Sequence, residues 1–173
     1  MGRVARGDDD LLLGEGAALP SELPGVPDAA WDAFARAMQT AKLSDVSEAN
    51  AVGMFELTPR RLADLGVVEK LARRRRGEGN PAPVFTARFV PPMTAEHFLK
   101  DPDAQYRAFA RSIADYDRRL ASGEIAPPAD ESLGRAGQLA VLHRAGPRGL
   151  LSWDRGERFP QTTLAAERAR GLF

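Results

Sequence analysis

Two glutamates, Glu48 and Glu56, flank Gly53 and have the side-chain chemistry for acid catalysis. A single carboxylic acid can donate a proton to a leaving oxygen if its surroundings keep it protonated near neutral pH. The apolar residues on either side of Glu56 favour the protonated acid there, whereas Glu48 has small polar neighbours that would keep it solvated. For each glutamate, a surface carboxylate or one that complements a helix dipole is the alternative.

The stretch around Gly53 resembles the Asn-Ala-x-Gly-Leu-Met-Gln-Leu-x-Pro segment of the lysozyme-like lytic transglycosylases. Here it reads Asn50-Ala51-Val52-Gly53-Met54-Phe55-Glu56-Leu57-Thr58-Pro59. In that family the loop lies beside the catalytic glutamate and lines the groove that binds peptidoglycan. If the chain keeps the family's activity, the resemblance leaves Glu56 or Glu48 as the catalytic acid. It also implies that three residues bind the substrate: Gly53, Met54 and Phe55.

The segment before this loop departs from the family pattern. The family carries its catalytic glutamate on the preceding helix, where this chain reads Ala37-Met38-Gln39-Thr40. Gln39 cannot donate a proton as an acid. The departure implies either a pseudoenzyme that keeps the groove without the acid, or an enzyme in which Glu48 or Glu56 has taken over.

Two later segments are similar to the same family. Residues 112–116 end in Tyr116, and in transglycosylase-like domains a tyrosine of this region often faces the groove. Residues 139–149 contain His143 and resemble the late Ala-x-His-x-x-Gly-x-x-Gly segment of peptidoglycan-hydrolase-like domains in phage particles. Tyr116 and His143 are therefore expected to bind substrate. The alternatives are core packing for Tyr116 and a helix C-terminal dipole contact for His143.

Composition limits the other function classes. The 173 residues include 24 Lys and Arg, 24 Asp and Glu, and no cysteine. This balance gives no general attraction to nucleic acid, and Arg73–Arg76 without an aromatic platform are typical of a solvated helix end. Neither histidine has a metal ligand at the usual spacing, so no metal and no cofactor are expected. No apolar run is long enough to span a bilayer.

Residues 1–26 are rich in acidic residues, glycine and proline, and predict a flexible arm whose apolar part is Leu11–Leu13. Residues 27–173 predict one transglycosylase-like helical domain. Apolar residues at helical spacing predict a first helix over about 29–41. They also predict a central helix with a continuous apolar stripe: Tyr106, Phe109, Ile113, Tyr116 and Leu120. The expected fold is mainly α and lysozyme-like, with at most a minor β element.

Capping residues predict further boundaries. Thr58 and Pro59 begin a helix of barely two turns that Gly66 ends, and Val67–Leu71 can continue as another short helix. Later in the chain, Val84–Val90 are predicted to be extended, and Ser132 is predicted to cap a helix. Gly146 is predicted to end that helix and Pro147 to begin the next.

Together these patterns predict a peptidoglycan-directed, transglycosylase-like domain of a phage or phage-like tail, with cleavage impaired or lost. The chain shows no recognisable export signal, and wall-directed domains of this kind usually travel inside a delivery particle. The expected location is the virion, after synthesis in the bacterial cytoplasm. The expected partners are peptidoglycan glycan strands and neighbouring tail or baseplate subunits. The alternatives are a non-catalytic structural subunit of a tail or contractile injection particle, and an unrelated helical interaction module.

Overall fold

The computed structural model describes residues 19–47, 51–69 and 87–173. Within these ranges the secondary structure is helical, and extended segments meet only at isolated β-bridges. The helices are α1 (Asp28–Met38), α2 (Pro59–Asp64), α3 (Ala95–Lys100), α4 (Pro102–Ala121), a 3-10 helix (Glu131–Leu133), α5 (Gly134–Asp154) and α6 (Pro160–Ala169). The mainly-α fold class is confirmed. None of these helices combines the length and hydropathy that a membrane crossing requires.

The chain forms two compact units. Among the described residues, the first unit comprises 39–47, 51–69 and 87–109. The second unit comprises 19–38 and 110–173. Helix α4 contributes its first two turns to the first unit and the rest to the second. The predicted arm lies mostly outside the described residues, which begin at residue 19.

In the first unit, α2 begins and ends where its capping residues predict. The Thr58 hydroxyl accepts a hydrogen bond from the Arg61 amide at 3.2 Å, which satisfies one of the free N–H groups at the helix start. Pro59 is the first helical residue, and Gly66 follows the helix with φ 70°. A positive φ of this kind suits glycine because it lacks a Cβ atom.

The short helix predicted over Val67–Leu71 is wrong at its start. Val68 forms an antiparallel bridge with Phe89, and backbone hydrogen bonds join Glu69 N to Arg88 O (2.8 Å) and Val90 N to Val67 O (3.1 Å). Long-range pairing of a β-branched residue with an aromatic one has prevailed over a weak local helix signal. Residues 70 and 71, the four arginines of 73–76 and the start of the predicted extended segment (84–86) lie outside the described residues.

Helix α4 is the predicted central helix. The Asp101 side chain accepts a hydrogen bond from Ala104 N at 2.9 Å, and Gly123 follows the helix with φ 75°. The middle of the predicted stripe is buried (Phe109, Ile113 and Tyr116), whereas its two ends are half-buried (Tyr106 and Leu120). The apolar spacing therefore identified the core-facing side correctly.

In the second unit, the last eight residues of the predicted arm are anchored rather than loose. Leu19, Leu23 and Val26 are buried. The Leu19 amide donates to Asp32 Oδ1 at 3.2 Å, so the backbone at the start of the described chain is tied to α1. Burial and hydrogen bonding together offset the entropy of ordering these residues.

Helix α1 buries the stripe that its sequence predicts, which includes Trp31, Phe34 and Met38. The Trp31 and Phe34 rings lie 5.9 Å apart, and the Phe34 ring meets that of Phe173 edge-on at 5.3 Å. The C-terminal residue of the chain thus packs against α1, as the apolar character of the tail suggests.

Helix α5 consists of two helical stretches separated by Gly146, which has φ 64° and ψ −169°. This non-helical residue is followed by Pro147, so both the predicted stop and the predicted new start are confirmed. Helix α6 packs on α5 through small buried residues, which allow the two backbones to approach closely: Ala165, Ala166 and Ala169.

Asp130, rather than the predicted Ser132, caps the turn before α5. The Ser132 amide and hydroxyl both donate to Asp130 Oδ1, and the Trp153 indole donates to Asp130 Oδ2 at 3.0 Å. These bonds hold the pKa of the Asp130 carboxyl below its usual range, and the bond from the Ser132 hydroxyl contributes most to the lowering. The sequence suggested Ser132 because the contact with Trp153, distant in sequence, could not be seen.

A bidentate ion pair joins α4 to α5 in the second unit. Arg135 Nε and Nη2 each lie 2.7 Å from an oxygen of Asp117, and Arg135 Nη1 donates to the Pro24 carbonyl at 3.0 Å. The Asp117 side chain is only 13% exposed. A paired carboxylate with two parallel N–H···O bonds contributes more than an ordinary surface pair.

Replacing Asp117 with Ala should lower the free energy of unfolding by about 1–3 kcal/mol, because the guanidinium would lose both charge-assisted bonds in a partly buried place. Urea denaturation followed by circular dichroism measures the change. The control is Glu96→Ala, because both side chains of the Glu96–Lys100 pair are more than 70% exposed, and it should have a much smaller effect. Equal effects for the two variants would contradict the prediction.

Candidate functional site

The stretch around Gly53 forms a tight turn within the first unit. Val52 and Leu57 exchange both backbone hydrogen bonds, at 2.9 and 3.0 Å, and Glu56 N donates to Gly53 O at 3.0 Å. Gly53 and Glu56 both have positive φ, at 74° and 49°. The four residues between the pair are therefore held by the backbone of the turn itself.

A second pairing supports this turn from its N-terminal side. Val46 forms an antiparallel bridge with Val52, Ser47 N donates to Ala51 O at 2.8 Å, and Gly53 N donates to Asp45 O at 2.9 Å. Glu48, one of the two predicted catalytic residues, lies between residues 47 and 51 and outside the described part of the chain. Its role stays a prediction.

The apolar side chains of the turn point into the core. Val52, Met54, Phe55 and Leu57 are all buried, and Phe55 is 0% exposed. The Phe55 ring stacks on that of Phe109, with centroids 4.1 Å apart and planes 9° from parallel. Met54 and Phe55, which the resemblance assigns to a substrate groove, therefore have almost no surface left for a ligand to contact.

One side chain that the sequence reasoning did not single out, Gln105, links the turn to two other segments. Its Oε1 accepts a hydrogen bond from Met54 N at 2.9 Å. Its Nε2 donates to the carbonyls of Leu43 and Phe98, both at 2.8 Å. Gln105 is 1% exposed, so an amide that makes these three bonds replaces water for three backbone groups.

Gln105 also explains why residue 53 is a glycine. A Cβ atom at this position would lie 2.1 Å from Gln105 Oε1 and 2.4 Å from its Cδ. Gly53 is thus required both by its positive φ and by the close approach of a buried side chain. The substrate-binding role predicted for Gly53 has a structural alternative in this contact.

A sequence signal for Gln105 existed in the helical spacing. Gln105 precedes Phe109 by four residues and Ser112 by seven, which places it on a side of α4 that is buried. A lone polar residue on a buried helical face must find hydrogen-bond partners. The spacing could have identified Gln105 as buried, but not its three partners.

Glu56 is the predicted catalytic residue that the structure does describe. It is half-buried, and its Oε2 accepts a hydrogen bond from the Thr40 hydroxyl at 2.6 Å. The Thr40 and Ala41 amides both donate to Met54 O, at 3.0 and 3.3 Å, and so hold the two segments together. The structure therefore joins Glu56 to Thr40, the last residue of the segment in which the resemblance expects the catalytic acid.

Gln39, which immediately precedes Thr40, carries an amide that cannot act as an acid and does not face a ligand. Its Oε1 and Nε2 atoms are both buried and have no hydrogen-bond partner within the described part of the chain. A buried amide without partners is costly. Thr40 is exposed, as are Lys42 and Asp45 further along this segment, and Glu56 is half-buried.

The other two predicted substrate-binding residues belong to the second unit. Tyr116 is 6% exposed and lies in the apolar stripe of α4, where core packing accounts for it. His143 is half-buried and stands three residues before Gly146, near the end of the first stretch of α5. This position fits the helix C-terminal alternative. Their role in a groove stays a prediction.

Metal chemistry has no candidate centre in residues 19–47, 51–69 and 87–173. Nowhere in these ranges do three or more histidine, aspartate or glutamate side chains form a group that could hold a metal ion. At the turn, Glu56 supplies a carboxylate and Thr40 a hydroxyl, and the two are hydrogen-bonded to each other.

Replacing Gly53 with Ala should lower the free energy of unfolding by about 2–4 kcal/mol, because the new methyl group would displace Gln105 and occupy a left-handed conformation. Thermal and urea denaturation of the purified variant measure the loss. Gly66→Ala is the matched control, since Gly66 has a similar φ of 70° but open space around its Cβ position. The control should lose only about 1 kcal/mol. If the two variants were equally destabilised, crowding by Gln105 would not be the reason for the glycine.

No protein-family model, curated protein or solved structure matches this chain. The resemblance to lytic transglycosylases consequently depends on the quoted residues alone. What the chain does has to be argued from the geometry of the turn and of its surroundings.

Proposed function

We propose that this chain is a non-catalytic structural subunit that acts by binding a neighbouring protein chain in a larger particle. The observation that supports this most is the closed turn around Gly53, in which the residues expected to contact a sugar are packed against the core. A ligand groove has to present apolar and polar groups on a concave, accessible surface. The side chains of Met54 and Phe55 are buried and are not accessible on such a surface.

The energy needed to open the turn favours the same proposal. Freeing Phe55 and Met54 would expose two buried apolar side chains and break the hydrogen bond from Met54 N to Gln105. Each of the two buried side chains contributes about 1.5–3 kcal/mol and the hydrogen bond about 1 kcal/mol, so opening costs on the order of 5 kcal/mol. At tenfold per 1.4 kcal/mol, roughly one molecule in several thousand would be open.

The kind of particle comes from the sequence resemblance. Transglycosylase-like domains occur in phage tails and related injection particles, and a domain of this kind that has lost its catalytic residue can remain there as a structural part. The particle assignment is therefore the same one that the sequence predicts, with the groove used as packing instead of as a catalytic site.

Native purification tests the structural role. Particles isolated from the natural source should contain this chain, and mild dissociation should release it in a fixed ratio to its neighbours. Gel filtration with light scattering should find the undissociated chain only in species far larger than its 18.7 kDa monomer. A chain recovered solely as a free monomer, with none in any assembly, would contradict the proposal.

A second candidate function is peptidoglycan cleavage with Glu56 as the acid. The specific observation in its favour is the 2.6 Å hydrogen bond between Thr40 and Glu56, which holds a half-buried carboxylate beside the segment where the family carries its glutamate. A carboxylic acid at such a position could protonate a leaving oxygen, and the sugar's own N-acetyl group would complete the displacement in the family's mechanism. This candidate requires a glycan to approach from the outer side of the turn.

A clearing assay separates the two functions. Under the structural proposal, purified wild-type protein should neither clear a peptidoglycan suspension nor release anhydro-muropeptides at any concentration. Under the catalytic candidate, wild type should do both, and Glu56→Gln should reduce release at least 100-fold, the typical contribution of general acid catalysis. Glu22→Gln is the matched control, because Glu22 is exposed and lies in the second unit. Activity that depends on Glu56 and not on Glu22 would overturn the non-catalytic proposal.

A further inference from the structure

We draw no further inference here: the strongest candidate, the exposed apolar side chains of Leu151, Phe159 and Leu164 on α5, α6 and the turn between them, carries none because nothing in the described part of the chain shows what covers them.

Discussion

The hydrogen bonds of one buried amide, that of Gln105, set the geometry of the first unit. They connect α4 to the turn through Met54 N, to the preceding segment through Leu43 O, and to the end of α3 through Phe98 O. Because the amide occupies this place, residue 53 must lack a side chain. With the backbone of the turn held in this way, Phe55 packs against Phe109 on the same helix. A single polar residue inside an apolar core thus specifies one arrangement among many.

This constraint also bears on the resemblance of the turn to a catalytic loop. A turn that lines a groove and a turn that seals a core can share glycine and apolar residues, because both need a tight backbone and hydrophobic side chains. The direction of those side chains separates the two uses. In this chain Met54 and Phe55 point inward, and Glu56 remains at the surface with Thr40. Burial of the Met54 and Phe55 side chains stabilises the closed turn by about 1.5–3 kcal/mol each.

Local signals predicted much of the fold, and long-range contacts account for what they missed. Thr58, Gly66 and Gly146 act through neighbours within a few residues, so the helix ends they predict are found in the structure. The bridge between Val68 and Phe89, the cap at Asp130 and the partners of Gln105 join residues far apart in sequence. Glu56 could be selected as a candidate from its type and neighbours, whereas its contact with Thr40 depends on how the turn folds back.

Hydrogen exchange at the Met54 amide, followed by NMR, tests the closed turn most directly. Bonded to a buried Gln105 oxygen, this amide should exchange at least 1000-fold more slowly than an unstructured amide, in keeping with an opening cost of about 5 kcal/mol. In Gln105→Leu the protection of Met54 should fall, while buried amides in the first stretch of α5, such as those of Ala140 and Val141, stay protected. Exchange of Met54 in the wild type at the rate of an unstructured amide would mean that the turn is open, and the account of a sealed, non-catalytic turn would be wrong.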